Sequence, residues 1–217
     1  MQNPIIATLS DLRKIPVLEC KEPAGTYENP IVPRSRARDG QPVPAHIIVR
    51  QTLVNKLNAA QKALQQQDPL LKLVVLEGLR AAADQAEHFE KILQKLAAQW
   101  PHKSKSFIEE QAHLQIAEPS VAGHPTGGAV DVTIYRRNKE LDFKGQAGDV
   151  DNNMFSYTWA DGLTKAQLAN RLLLQNLMQE QGFAPFYAEW WHFSHGDREW
   201  AFFYGQPCAV YGPLTVG

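Results

Sequence analysis

The sequence predicts a fold that mixes helices with short strands, and three observations predict it. Apolar residues recur at three- to four-residue intervals in several stretches, two short apolar runs have strand length, and the C-terminal part alternates aromatic with polar residues. With 217 residues and 44% hydrophobic composition, the chain can bury one well-packed core, and a single domain over residues 1–217 is expected.

Each element follows from local composition. Pro23, Pro30, Pro33, Pro42 and Pro44 resist helix, so residues 22–45 are expected to wrap the core with little regular structure, as part of an extended N-terminal wrap over 1–45 ahead of a motif-bearing core at about 46–205. Over residues 46–67, Ile47, Ile48, Leu53, Leu57, Ala60 and Leu64 make one face of an amphipathic helix that Asp68-Pro69 ends. Residues 71–76 (LKLVVL) read as a strand, and Glu77-Gly78-Leu79-Arg80 leads into a second helix running to Trp100. Arg80 therefore sits at a strand-to-helix junction.

A helix is expected over 105–116, a Gly- and Pro-rich loop over 118–129 and a strand over 129–135 (AVDVTIY). Residues 138–163 are polar and aperiodic and read as a long loop. Residues 164–181 follow with Thr164 as N-cap, a helical apolar pattern and Gly182 as the stop. Residues 186–194 and 200–205 alternate aromatic and polar residues around Gly196-Asp197, which predicts a hairpin.

Composition excludes several partners. The 22 Lys+Arg and 23 Asp+Glu leave a net charge of −1, with no field to gather a phosphate backbone or anionic lipid, so neither nucleic acid nor membrane is expected. No basic segment followed by an apolar core of about 7–15 residues opens the chain, and no apolar run approaches bilayer length; a cytoplasmic location is expected. Cys20 and Cys208 lie far apart without CxxC spacing, so a metal centre would have to use His and carboxylates.

A hydrolytic zinc centre needs three ligands from His, Asp and Glu, a position open to water, and a nearby carboxylate to take the water's proton. Two short segments can supply them. His124 lies in the Gly-rich loop and Asp131 on the following strand, where Val130 and Val132 would face the other way. A buried Asp131 needs a partner, and a cation is one. In Glu189-Trp190-Trp191-His192 an acid and an imidazole lie three apart among large aromatics that can exclude water. On a regular strand that offset puts them on opposite faces, so a strand end, bulge or twist is required. The same parity argues against His195 as a ligand.

His46, His88, His102 and His113 read as surface or satisfied core residues. A surface Arg80 at a helix start would be disfavoured by the macrodipole. A guanidinium there could instead stabilise an oxyanion formed when water adds to a peptide carbonyl. A non-catalytic zinc-stabilised binding domain would gain nothing from Glu189, and an aromatic hairpin that is merely core would leave the ligand spacings unexplained.

The stretch Ala122-Gly-His124-Pro-Thr-Gly127-Gly-Ala129-Val-Asp131 resembles the pattern Ser-x-His-x-x-Gly-x-Ala-x-Asp, and Glu189-Trp190-Trp191-His192 resembles Glu-x-Trp-His. Both belong to the VanX-type zinc D-alanyl-D-alanine dipeptidases, within the wider D,D-carboxypeptidase-like metallopeptidases. The resemblance implies an α+β fold with a central antiparallel sheet flanked by helices. It implies one zinc ion held by His124, Asp131 and His192, with Glu189 as general base, Arg80 as oxyanion stabiliser and no organic cofactor. The implied substrate is a small peptide, D-alanyl-D-alanine or a related D-containing dipeptide; the alternative is a peptidoglycan D,D-carboxypeptidase or endopeptidase acting on longer wall peptides. Two positions depart from the pattern. Ala122 replaces the family's Ser, and the acidic residue that would hold a dipeptide's amino group has only a loose counterpart in residues 146–156, with Asp151 preferred and Asp149 second.

Overall fold

The computed structural model describes residues 5–30, 42–148 and 153–215. In chain order these form α1 (Leu9–Lys14), β1 (Ala24–Glu28), β2 (His46–Arg50), α2 (Gln51–Gln67), β3 (Leu71–Glu77), α3 (Ala82–Gln99) and α4 (Lys105–His113). They continue as β4 (Ala129–Arg136), β5 (Lys139–Glu140), α5 (Lys165–Glu180), β6 (Ala184–Pro185), β7 (His192–Ser194) and α6 (Arg198–Phe203). The fold is α+β, as expected. No helix among the described residues is long and apolar enough to cross a membrane.

The main sheet is antiparallel in the order β3-β4-β7-β6, with β5 paired to the end of β4. β4 is its centre and is buried from Ala129 to Tyr135, which is why its residues show no simple polar alternation. Val130, Val132 and Ile134 face a core shared with Leu73 and Val75 of β3, with Leu53, Leu57, Ala60 and Leu64 of α2, and with Leu174, Leu177 and Met178 of α5. Each fully buried aliphatic side chain there contributes about 1.5–3 kcal/mol relative to exposure. The opposite face of β4 presents Asp131 and Thr133, so polar chemistry and core lie on opposite sides of one strand. α3 and α4 pack around a smaller cluster that includes Phe89, Ile92, Leu96 and Ile108.

Local signals explain where several elements begin and end. Thr164 caps α5 in a reciprocal box with Gln167, and Gly182 leaves the helix at φ 76°, a left-handed conformation that favours glycine. Much of the irregular stretch before α5 is tied to the buried Arg171, whose guanidinium donates to the carbonyls of Phe143, Lys144, Phe155 and Tyr157.

The structure corrects three expectations. The helix expected from residue 46 begins at Gln51, because His46–Arg50 pairs with β1 as a strand. Ile47 and Val49 are buried and Ile48 is exposed, a period of two that the β-branched run satisfies better than a helical face. The N-terminal wrap carries regular structure in α1 and β1; its residues 31–41 lie outside the described residues. The C-terminal hairpin is absent among the described residues. β7 pairs with β4 and β6, and the aromatic run after it is the helix α6, initiated by the Asp197 carboxylate accepting from the Trp200 N–H at 2.9 Å. An N-cap outweighed strand-like composition.

Leu57 is fully buried in the core and Thr164 supplies a single exposed cap. Leu57→Ala should lower the unfolding free energy by about 2–5 kcal/mol and Thr164→Ala by about 1 kcal/mol in urea titrations of the full chain; equal losses would contradict this packing account.

Candidate active site

Asp131 sits in β4, where the sheet register decides its neighbours. An irregularity in β3 between Val75 and Glu77 sets Glu77 opposite Asp131 on one side, and the β4–β7 register sets His192 opposite it on the other. The third residue arrives by a turn. His124 lies in a 3-10 turn just before β4, and Gly127, at φ 67°, closes that turn with its N–H donating to the His124 carbonyl at 3.0 Å. A β-carbon at Gly127 would also press on Leu214 and the Arg50 backbone, so glycine is required twice over.

The result is a buried trio. His192 Nδ1 lies 3.0 Å and His124 Nε2 3.4 Å from Asp131 Oδ1, and one ligand atom from each of the three residues lies within 4.8 Å of the others. His124 Nδ1 meets the Gly78 carbonyl at 2.8 Å, which directs Nε2 inward. Burial works to raise the Asp131 carboxyl pKa, but His124 and His192 hold it well below the usual carboxylate range. Burial works to lower His192, but the neighbouring Glu199 and Asp131 carboxylates raise it well above an ordinary imidazole. Two imidazoles and a carboxylate converging at the wall of a pocket are a donor set that suits a divalent ion such as zinc.

The same pocket is lined by Glu189 and Arg80. Glu189 precedes β7 in a turn that the His192 N–H closes onto the Glu189 carbonyl at 3.1 Å, so the two residues reach one pocket although they lie three apart. The required break in strand parity is therefore a turn before the strand. Arg80 lies between β3 and α3, as its sequence setting suggested, and is buried. Its Nε and Nη2 each bond a Glu77 carboxylate oxygen at 2.6 Å, and Nη1 donates to Gln85 Oε1 at 2.7 Å. The fork is thereby held rigidly, with its charge matched by Glu77.

Several expectations are refined. Trp190 and Trp191 belong to the core, where Trp190 stacks on Phe143 at 4.3 Å; among the flanking aromatics it is Phe186 that lines the pocket. His195 is not in the trio. Its Nδ1 faces the Gly182 carbonyl at 3.1 Å, and burial brings its pKa down to about 4. His113, read as structural, is buried on α4 and accepts from the Glu118 N–H at Nδ1, yet also lines the pocket. Asp149 and Asp151 lie outside the described residues. Sequence reasoning missed Glu77, Gln85 and Glu199. Glu77 was visible beside Arg80, but Glu199 is brought to His192 by the fold alone and carries no local signal.

A profile described as D-ala-D-ala dipeptidase matches residues 38–209, a span that contains every residue of the pocket. The chain is 25% identical over 232 residues to a D-alanyl-D-alanine dipeptidase of Synechocystis sp., covering 88% of this chain and 89% of that protein. A D-alanyl-D-alanine dipeptidase of Enterococcus faecium is 33% identical over 75 residues, covering 34% of this chain and 37% of that protein. Among solved structures, VanYB in complex with D-alanine-D-alanine aligns at TM-score 0.46 with 14% identity, covering 92% of this chain and 95% of that one.

Asp197, two residues before Glu199, is buried beneath Gly123, where a β-carbon would collide with its carboxylate. Burial, then the charge of Glu199, pushes its pKa up to about 7 from 3.8. The folded state therefore binds this proton more tightly than the unfolded chain. Its contribution to stability is fully present below the unfolded value and is lost as pH rises from about 4 to about 7. Asp197→Asn, an equally good N-cap, removes the titration. The metal-free variant should gain on its parent in Tm as pH rises through that window; parallel Tm curves would show that Asp197 titrates normally.

Proposed function

The chain belongs to the D-alanyl-D-alanine dipeptidase family of peptidases, and from that premise we propose a zinc-dependent dipeptidase that cleaves D-alanyl-D-alanine or a related D-containing dipeptide. The observation that carries this reading is the convergence of His124, Asp131 and His192 in one pocket with Glu189 and Arg80. Zinc held by the trio would lower the pKa of a bound water and polarise the scissile carbonyl.

The chain's own groups do the rest. Glu189, on the pocket wall beside His192, takes the proton from the attacking water and returns it to the leaving amine. Arg80 faces the negative charge that develops on the carbonyl oxygen. Its fork is already aligned by Glu77 and Gln85, so little reorganisation is needed as that charge forms. Asp151, with Asp149 as the second choice, is assigned the free amino group of the dipeptide. That contact would set the preference for a free dipeptide over a longer wall peptide.

Glu189→Gln should lower kcat by about 10²–10⁴-fold, and Arg80→Ala by about 10²–10³-fold, with zinc content unchanged in both; full activity in Glu189→Gln would sink the mechanism. Amine release should be followed from D-alanyl-D-alanine and from an N-acylated form, before and after chelation. Chelator-sensitive cleavage of the free dipeptide alone supports the dipeptidase reading. Cleavage of the blocked substrate alone would move the function to a D,D-carboxypeptidase or endopeptidase on longer wall peptides.

A further inference from the structure

Glu199 is a carboxylate in the first turn of α6, 8% exposed. Burying a charged carboxylate is costly unless it is paired. Its ion pair is with the far side of His192, where Oε2 lies 3.3 Å from Nε2, and Ser194 Oγ donates to the same oxygen at 3.1 Å. The other ring nitrogen of His192, Nδ1, faces Asp131. Glu199 is thus outside the trio that converges on the centre and stands behind one of its members.

A neutral imidazole has one N–H and one lone pair. For His192 to offer the Nδ1 lone pair to a cation beside Asp131, its proton must sit on Nε2, which faces Glu199 Oε2 at 3.3 Å and Ser194 Oγ at 3.4 Å. His124 has the mirrored arrangement, with its Nδ1 on the Gly78 carbonyl and its Nε2 turned inward. Both imidazoles therefore have the outward nitrogen engaged, one by a backbone carbonyl and one by a carboxylate. The fold supplies the carboxylate by reversing the chain at Gly196, φ 76°, and starting α6 on the Asp197 cap, so that its first turn returns over β7.

We propose that Glu199 is a positioning residue that holds the Nε2–H of His192, fixes the tautomer with its lone pair toward Asp131 and His124, and tightens zinc binding at the trio. The proposal rests on reading the trio as a zinc centre. An acceptor behind a ligating histidine orients the ring and makes its other nitrogen a better donor, and losing such an acceptor typically costs about 10–100-fold in metal affinity.

The test is zinc affinity by chelator competition on the full chain, for the parent, Glu199→Ala, Glu199→Gln and His192→Ala, with near-ultraviolet circular dichroism to confirm folding. Glu199→Ala should bind zinc about 10–100-fold more weakly. Glu199→Gln, whose amide oxygen still accepts, should lose less. In the zinc-loaded parent, nitrogen-15 NMR should show a slowly exchanging proton on His192 Nε2 that is lost in Glu199→Ala, a change that mere loss of packing would not produce. Parental affinity in a folded Glu199→Ala overturns the proposal. Should that variant fail to fold, Glu199→Gln decides: weakened binding supports the role and unchanged binding overturns it. If His192→Ala loses zinc while Glu199→Ala keeps it, only the role of Glu199 fails. If His192→Ala itself binds like the parent, the zinc centre and the role of Glu199 fall together.

Discussion

A carboxylate buried in the middle of a sheet is the constraint on which the rest of the site depends. Asp131 occupies the central strand, 3% exposed, and its charge is tolerable only because two imidazoles stand within 3.4 Å of it. Those imidazoles come from different parts of the chain. His192 is supplied by the register of the neighbouring strand, and His124 by a glycine-closed turn that folds back over the strand's first residues. A shift of one residue in that register would turn His192 away from Asp131 and Phe193 out of the core together, so packing and site geometry are specified by the same pairing.

Around this centre, charges are arranged in complementary pairs. Glu77, set opposite Asp131 by the β3 irregularity, is bound to Arg80, so a negative group next to the trio is neutralised and a guanidinium is locked at the pocket wall. On the other flank Glu199 stands behind His192, with Ser194 on the same oxygen. Across the sheet each of these acids has a basic neighbour, Glu77 with Arg80, Asp131 with His124 and His192, and Glu199 with His192. This arrangement answers the cost of burying so many ionisable groups in one place. Apolar packing is left to the opposite face, where α2 and α5 cover the sheet.

Much of this was legible because it is local. Residues 71–76 and 129–135 are too apolar and β-branched to be anything but buried strands, Thr164 and Gly182 bracket α5 through cap chemistry, and Arg80 follows directly from the strand that precedes it. The errors arose where two local rules competed. Ile47, Ile48 and Val49 fit a helical face until strand β1 is there to pair with them, and the aromatic run of α6 reads as a strand unless the Asp197 cap is given its full weight.

The sequence by itself determined the composition of the candidate centre. His124, Asp131, Glu189 and His192 lie in two compact motifs whose internal spacing is short enough to encode a turn and a strand end. Only the tertiary structure decided what surrounds them. The bond from His124 to the Gly78 carbonyl, the place of Gln85 behind Arg80 and the approach of Glu199 to His192 depend on a strand irregularity, on helix packing and on a chain reversal at Gly196. Each of these is a contact whose energy is realised only when separate segments meet, so no local propensity could have announced it.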